Sequence, residues 1–228
     1  DLAYLFGVLV GDGGYTVRGR IGLTTTDKEI LDSSNLIAKK YFGKPFSPTH
    51  DPISYMLHSC SVWDRLFSEY GFNSPVCGQK QVPTSVLTAD KESVVNFIRG
   101  LFDTDGYCSL DGYVQYCSKS DELARQVHLL LLRFGIVSCL KKKLNKTYHR
   151  YYNYLQISGS SLRVFNDKIG FGLSRKQARL DKVCQVATND NVDTVPSELV
   201  VGLIEDIRKQ QITANNLHPD LKRLSRSK

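Results

Sequence analysis

No apolar run in the 228-residue chain reaches the ~18–20 residues that a membrane-spanning helix needs. The amino terminus, Asp1-Leu2-Ala3-Tyr4, has no basic stretch ahead of an apolar one, so no signal peptide is visible. None of the six cysteines forms a CxxC pair or stands with His at zinc-finger spacing, which argues against a structural zinc site. Reduced thiols in a cytoplasmic protein are the expectation. Residues 141–150 contain no acid, yet hold Lys141, Lys142, Lys143, Lys146 and Arg150. What is present is otherwise ordinary for a globular chain, with 41% apolar and 23% charged residues. The net charge of +7 is compatible with a polyanionic partner without requiring one.

The chain is written twice. Asp12-Gly13 recurs as Asp105-Gly106, Thr26-Asp27 as Ser120-Asp121, and Phe42-Gly43 as Phe134-Gly135. Gly71-Phe72 recurs as Gly170-Phe171, and Lys80-Gln81 as Lys176-Gln177. The matches keep their order at nearly constant offset. The pattern of elements repeats too. A helix over 2–11 is predicted to end at Asp12-Gly13, followed by a hairpin turning near Arg18-Gly19. A helix from Thr26 to about Tyr41 follows, with Thr26 and Glu29 spaced as a capping box. A second hairpin over 45–60 and a helix over 61–70 complete the set. The second half reads as a helix over 90–104, a hairpin turning at Asp111-Gly112, a helix over 120–133, strands near 137–144 and 151–158, and a helix over 160–168. The expected fold is α+β: two pseudo-symmetric αββαββα halves, residues 1–88 and 89–187. Residues 188–228 form an extension with one apolar helical face (Leu199, Val200, Leu203, Ile204, Ile207) and several basic residues.

Gly7 and Gly11 lie on one face of the first helix, and Gly100 and Thr104 on one face of the fourth. A helix-interior Gly costs about 1 kcal/mol relative to Ala, so its use in both copies predicts close mutual packing of these helices. That packing brings Asp12 and Asp105 together at two helix carboxyl ends. Each is disfavoured there by the negative pole of its helix and by the other carboxylate. Divalent cations reverse both terms. With the carbonyls of Gly11 and Thr104 the carboxylates form an all-oxygen donor set suited to Mg²⁺.

The segment Leu5-Phe6-Gly7-Val8-Leu9-Val10-Gly11-Asp12-Gly13 resembles the nine-residue signature of the LAGLIDADG homing endonucleases. Ile98-Arg99-Gly100-Leu101-Phe102-Asp103-Thr104-Asp105-Gly106 resembles its second copy. The resemblance covers residues 1–187. It implies two saddle-shaped antiparallel sheets that grip double-stranded DNA, motif helices packed at the centre, and metal ions bound by Asp12 and Asp105. It also implies cutting of one strand per half by metal-dependent phosphodiester hydrolysis. Mg²⁺ or Mn²⁺ would support cleavage, and Ca²⁺ would be a non-cleaving substitute. Val10 departs from the signature, whose sixth position is acidic and commonly structural. Gln79-Lys80-Gln81-Val82-Pro83 resembles the family block that carries a basic residue before Val-Pro, and Lys176 stands at the equivalent place in the second half. Either lysine near a scissile phosphate could stabilise charge or organise water. Pro83 is expected to stiffen the first segment, and Arg175 and Arg179 to raise the positive potential around the second.

DNA readers are expected on the hairpins, because a two-stranded ribbon fits the major groove. With Ile21, Leu23, Val114 and Tyr116 inward, alternation turns Arg20, Gly22, Thr24, Tyr113, Gln115 and Cys117 outward. Arg18 joins Arg20 as a candidate guanine reader, and Gln115 is a candidate adenine reader. Lys141, Lys143, Tyr148, Arg150 and Tyr152 are the candidates on the second hairpin. A monomer acting in the cytoplasm with access to host DNA is the expectation. The first motif starts near position 1, where no Cys or Ser stands, and no terminal His-Asn follows. The sequence therefore resembles an intein-type endonuclease segment without splicing chemistry. The alternatives are a nuclease-inactive relative serving as an RNA maturase or DNA-binding regulator, and a protein-binding module. The last explains neither the paired carboxylates nor the basic segments.

Overall fold

Two helices without room for a side chain where they meet form the centre of the molecule. In a computed structural model, which describes residues 1–73, 76–146 and 149–185, these are α1 (Leu2–Asp12) and α5 (Lys91–Asp105). A Cβ on Gly7 would overlap the Phe97 carbonyl oxygen and come within 2.7 Å of the Leu101 nitrogen. One on Gly100 would overlap the Tyr4 carbonyl oxygen. The expected glycine contact is therefore backbone against backbone. Both helices are buried on most faces, from Leu5 to Val10 in α1 and at Val94, Phe97, Ile98 and Gly100–Asp103 in α5.

The first half continues with β1 (Gly13–Val17), β2 (Arg20–Thr24), α2 (Lys28–Phe42), β3 (Ser47–Pro48), β4 (Ser54–His58), α3 (Cys60–Ser68) and the short α4 (Thr84–Leu87). The second half continues with β5 (Gly106–Ser109), β6 (Tyr113–Ser118), α6 (Asp121–Leu132), β7 (Cys139–Asn145), β8 (Arg150–Ser158), α7 (Ser160–Lys168) and α8 (Ser174–Cys184). The strands form two antiparallel sheets of the same topology, β1-β2-β4-β3 and β5-β6-β8-β7. Alternation sorts each sheet into two faces. Ile21, Leu23 and Leu57 in one, and Val114, Tyr116, Leu155 and Ile157 in the other, are buried against the helices. The intervening residues face outward. All six cysteines are free, and among the described residues no helix is long and apolar enough to cross a membrane. The proposed extension over 188–228 lies outside the described residues.

Two features differ from the sequence expectation. The capping box at Thr26 and Glu29 does not form: α2 starts one residue later, with Asp27 at its N-cap and no side-chain cap. Glu29 instead accepts hydrogen bonds from the Ser174 backbone N–H (3.0 Å) and hydroxyl (2.7 Å). Each half also ends in a helix not expected from periodicity, α4 and α8. In α8 only Lys176, Leu180 and Val183 are buried, too sparse a stripe to register as an amphipathic helix.

Candidate active site at the crossed helix ends

Asp12 and Asp105 are the last residues of α1 and α5. The chain passes straight from each into a strand through Gly13 and Gly106. A Cβ on either glycine would overlap the carbonyl oxygen of Leu9 or Phe102 in the preceding helical turn, which explains why Gly follows each Asp. The two ends meet. A Cβ on Gly11 would stand 3.4 Å from an Asp105 carboxylate oxygen, and 2.8 Å from Thr104 Cβ.

Neither carboxylate accepts a hydrogen bond from any described residue. Asp12 is half-buried; Asp105 keeps solvent-accessible surface while protein surrounds it at longer range. That enclosure is the first cause raising the Asp105 pKa to about 7, and the charge of Asp12 the second; Lys80 and Lys176 pull the other way. Asp12 is raised by burial and lowered by Lys176 and Lys80.

The two lysines sit beneath the helix ends. Lys80 is 6% and Lys176 9% exposed, so neither is a surface lysine. Lys80 Nζ donates to the carbonyls of Val10 (2.9 Å), Gly11 (3.3 Å) and Gly13 (2.9 Å). Lys176 Nζ donates to those of Phe102 (3.0 Å), Asp103 (2.6 Å), Thr104 (3.4 Å) and Gly106 (2.6 Å). Apart from Phe102, these are the same positions in the two halves. Each ammonium satisfies carbonyls that a helix end leaves open and offsets its negative pole. Burial lowers both lysine pKa values, that of Lys176 to about 8. A bond from either to a phosphate oxygen would require giving up a carbonyl.

Asp103, at the sixth motif position, is 1% exposed. It accepts bonds from the Tyr4 hydroxyl (2.8 Å), Gly172 N–H (2.9 Å) and Leu173 N–H (3.1 Å). This fixes the turn leading into Lys176. The first half has buried Val10 there, and its lysine segment is held otherwise: Ser120 Oγ donates to the Lys80 carbonyl (2.7 Å), and the Val82 N–H donates to Gln126 Oε1 (2.8 Å).

The outer sheet faces collect most of the expected DNA readers. Arg20 and Thr24 are exposed, with His58 and Ser54 as cross-strand neighbours. Tyr113 and Gln115 share the outer face of the second sheet with Lys141, Lys143, Arg150 and Tyr152, since Lys143 pairs Tyr152 and Asn145 pairs Arg150. Tyr154 and Gln156 belong to the same face, opposite Lys141 and Gln115, and Tyr107 lies beside Gln115. Continuing the alternation from Tyr152 would have found the first two. Arg18 is not gathered with this group: Asp64 of α3 holds its guanidinium through two bonds, at 2.8 and 2.6 Å. Lys142 points to the other face and pairs with Asp121 at 2.7 Å. Arg175, expected to raise the potential near Lys176, is bound by Asp27 at 3.1 and 2.7 Å, so its charge is largely compensated. Tyr148 lies outside the described residues.

A family model described as LAGLIDADG-like domain matches residues 92–170, which includes the α5 end and the whole second sheet. This part of the chain is thus similar to the LAGLIDADG family. The chain's relatives include the replicative DNA helicase DnaB of Synechocystis, 28% identical over 240 residues that cover 93% of this chain and 27% of that protein. The replication factor C small subunit of Methanocaldococcus jannaschii is 27% identical over 94% of this chain and 12% of its own length. A probable translation initiation factor IF-2 of Thermococcus kodakarensis is 40% identical over 104 residues, 45% of this chain and 8% of that protein. The chain thus spans about a quarter or less of each. Among solved LAGLIDADG folds, I-DmoI in complex with DNA and Ca superimposes with a TM-score of 0.54 at 16% identity, covering 73% of this chain and 87% of that one. Full-length DUF199/WhiA from Thermatoga maritima gives 0.54 at 18%, covering 97% and 77%. At such identities the likeness establishes the fold, which is shared by a homing endonuclease and by a protein not described as one.

Proposed function

We propose that the chain is a site-specific endonuclease that makes double-strand breaks in DNA by metal-dependent hydrolysis, with one cleavage centre at each crossed helix end. The observation that carries this reading is the pair Asp12 and Asp105: two adjacent carboxylates at helix carboxyl ends, without hydrogen-bond donors among the described residues. Such a pair is unfavourable unless cations join it. Among the described residues no three His, Cys, Asp or Glu side chains converge, so the donor set would be the two carboxylates with the Gly11 and Thr104 carbonyls. Oxygen donors of this kind fit Mg²⁺ or Mn²⁺, with Ca²⁺ as a non-cleaving substitute. Each carbonyl has a second lone pair beside the one its lysine uses.

A bound divalent cation would supply Lewis-acid stabilisation of the phosphate and an activated water. The protein's part is to hold two anionic groups where a third, the phosphate, must arrive. Lys80 and Lys176 lower that cost by compensating the helix poles from beneath. The outer faces would bind double-stranded DNA, with Lys141, Lys143, Arg150 and Arg20 meeting phosphates or guanine edges and Gln115 meeting adenine.

The relatives add support. A replicative DNA helicase, a replication factor subunit and a translation initiation factor are named for different functions, yet each matches all or part of this chain within a much longer one. An inserted element of intein type explains that distribution, and an endonuclease gives such an element a means to spread. We place its action in the cytoplasm, as a monomer on host DNA. A nuclease-inactive relative that binds DNA or serves as an RNA maturase is the second reading, favoured by the likeness to DUF199/WhiA. Incubation with a randomised-site DNA library, with Mg²⁺ and with chelator, separates the two: Mg²⁺-dependent double-strand cuts support the first, and binding without cuts the second.

A further inference from the structure

The lysine under each helix end belongs to one half, but groups that help to hold its segment in place come from the other; Asp103 of its own half also holds the turn before Lys176. For Lys176, in the second half, the holders are Asp27 and Glu29 at the start of α2 in the first half. Asp27 binds the Arg175 guanidinium, and Glu29 takes the N–H and hydroxyl of Ser174. For Lys80, in the first half, the holders are Ser120 at the N-cap of α6 and Gln126 in its second turn, in the second half. We propose that Asp27 and Glu29 are positioning residues for the centre served by Lys176, and Ser120 and Gln126 for the centre served by Lys80, so that each cleavage centre is completed by the opposite half. This rests on the endonuclease reading.

The two clamps differ in kind. The one on Lys80 uses neutral groups, with Ser120 1% exposed. The one on Lys176 includes an ion pair whose side chains are 61% (Arg175) and 28% (Asp27) exposed. A partly exposed ion pair contributes little to global stability, so its removal leaves the fold intact while loosening residues 174–176 beyond the part that Asp103 holds. Ionic strength screens only the second clamp. The centre at Lys176 is therefore the one that salt loosens, and the two strand cuts diverge in rate as salt rises.

The test uses a supercoiled plasmid carrying the target. The paired variant Asp27→Asn/Glu29→Gln should slow one strand's cut by about tenfold or more, the scale on which small misplacements act, and accumulate nicks in that plasmid's other strand. Ser120→Ala/Gln126→Ala should accumulate nicks in the opposite strand. The charge-exchanged pair Asp27→Arg/Arg175→Asp, with Glu29 intact, should recover most of the loss, which a general weakening of the fold would not allow. Wild-type rates on both strands in the first variant, the same nicked strand in both variants, or no recovery on exchange would each overturn the proposal. Amine-reactive labelling read by mass spectrometry needs no cleavage and separates this proposal from the endonuclease reading. Lys176 should become reactive in Asp27→Asn/Glu29→Gln while Lys80 stays protected; continued protection of Lys176 would overturn the clamp even in an active enzyme.

Discussion

Asp105 is an acid whose proton is held to near neutrality by enclosure and by the charge of Asp12. The sign of the consequence follows from linkage. Its pKa is about 7 folded against 3.8 for the free group, so the native state binds more protons between those values, and stability falls as pH rises through that window. A divalent cation should restore what is lost. The shift in melting temperature produced by Ca²⁺ is therefore expected to be larger at pH about 8 than at about 5.5; an equal shift at both would mean that Asp105 is not a ligand. Lys80 and Lys176 were legible as candidates from their places in the repeat, but not as helix-end caps, because the bonds to residues 10–13 and 102–106 span some 70 positions of chain. Lys80→Met or Lys176→Met leaves buried carbonyls unpaired at a cost of about 1–3 kcal/mol. Both should slow cleavage, and Lys176→Met more, since it removes four bonds to carbonyls against three. Wild-type cleavage rates and denaturant midpoints in both variants would contradict this.

Elements were read from the sequence wherever a short-range rule governs them. Strand alternation placed Ile21, Leu23, Val114 and Tyr116 inward, and glycine ended the helices. The order αββαββα emerged twice because both halves obey these local signals. What escaped is decided by partners distant in sequence. Glu29 looked like half of a capping box, but the N-terminus of α8 claims its carboxylate. The turn into α8 donates two N–H bonds to Asp103, so nothing in its own sequence announced it. The crossing of α1 and α5 was legible through Gly7 and Gly100, and is the element-scale claim most open to test. Gly7→Val or Gly100→Val puts carbon into a backbone contact that cannot yield, and should destabilise by about 3 kcal/mol or more, at the upper end for overpacking. Chemical denaturation checks this; a loss below that of an exposed Gly14→Val control would mean that the helices do not meet there.

Across the whole molecule the two halves share topology but not surface. The outer face of the second sheet carries Lys141, Lys143, Arg150 and several tyrosines, whereas that of the first carries Arg20 and His58 with Met56, Val17 and small residues. DNA grip should therefore rest more on the second half. Each phosphate contact contributes about −0.9 to the slope of log affinity against log salt, so Lys141→Ala/Lys143→Ala should flatten the slope by about 2. Lys142→Ala, which removes an ion pair on the other face, should leave it unchanged. Equal effects from the two would show that strand alternation does not sort these lysines. The central claim is that Asp12 and Asp105 serve cations and not the grip. It is tested most directly by comparing wild type with Asp12→Asn and Asp105→Asn on a library-selected target, in Mg²⁺ and in chelator, with binding measured in parallel. The account predicts double-strand cleavage by wild type in Mg²⁺ alone, none by either variant, and nearly unchanged binding by all three. Full cleavage by either variant, or cleavage by wild type in chelator, would contradict it.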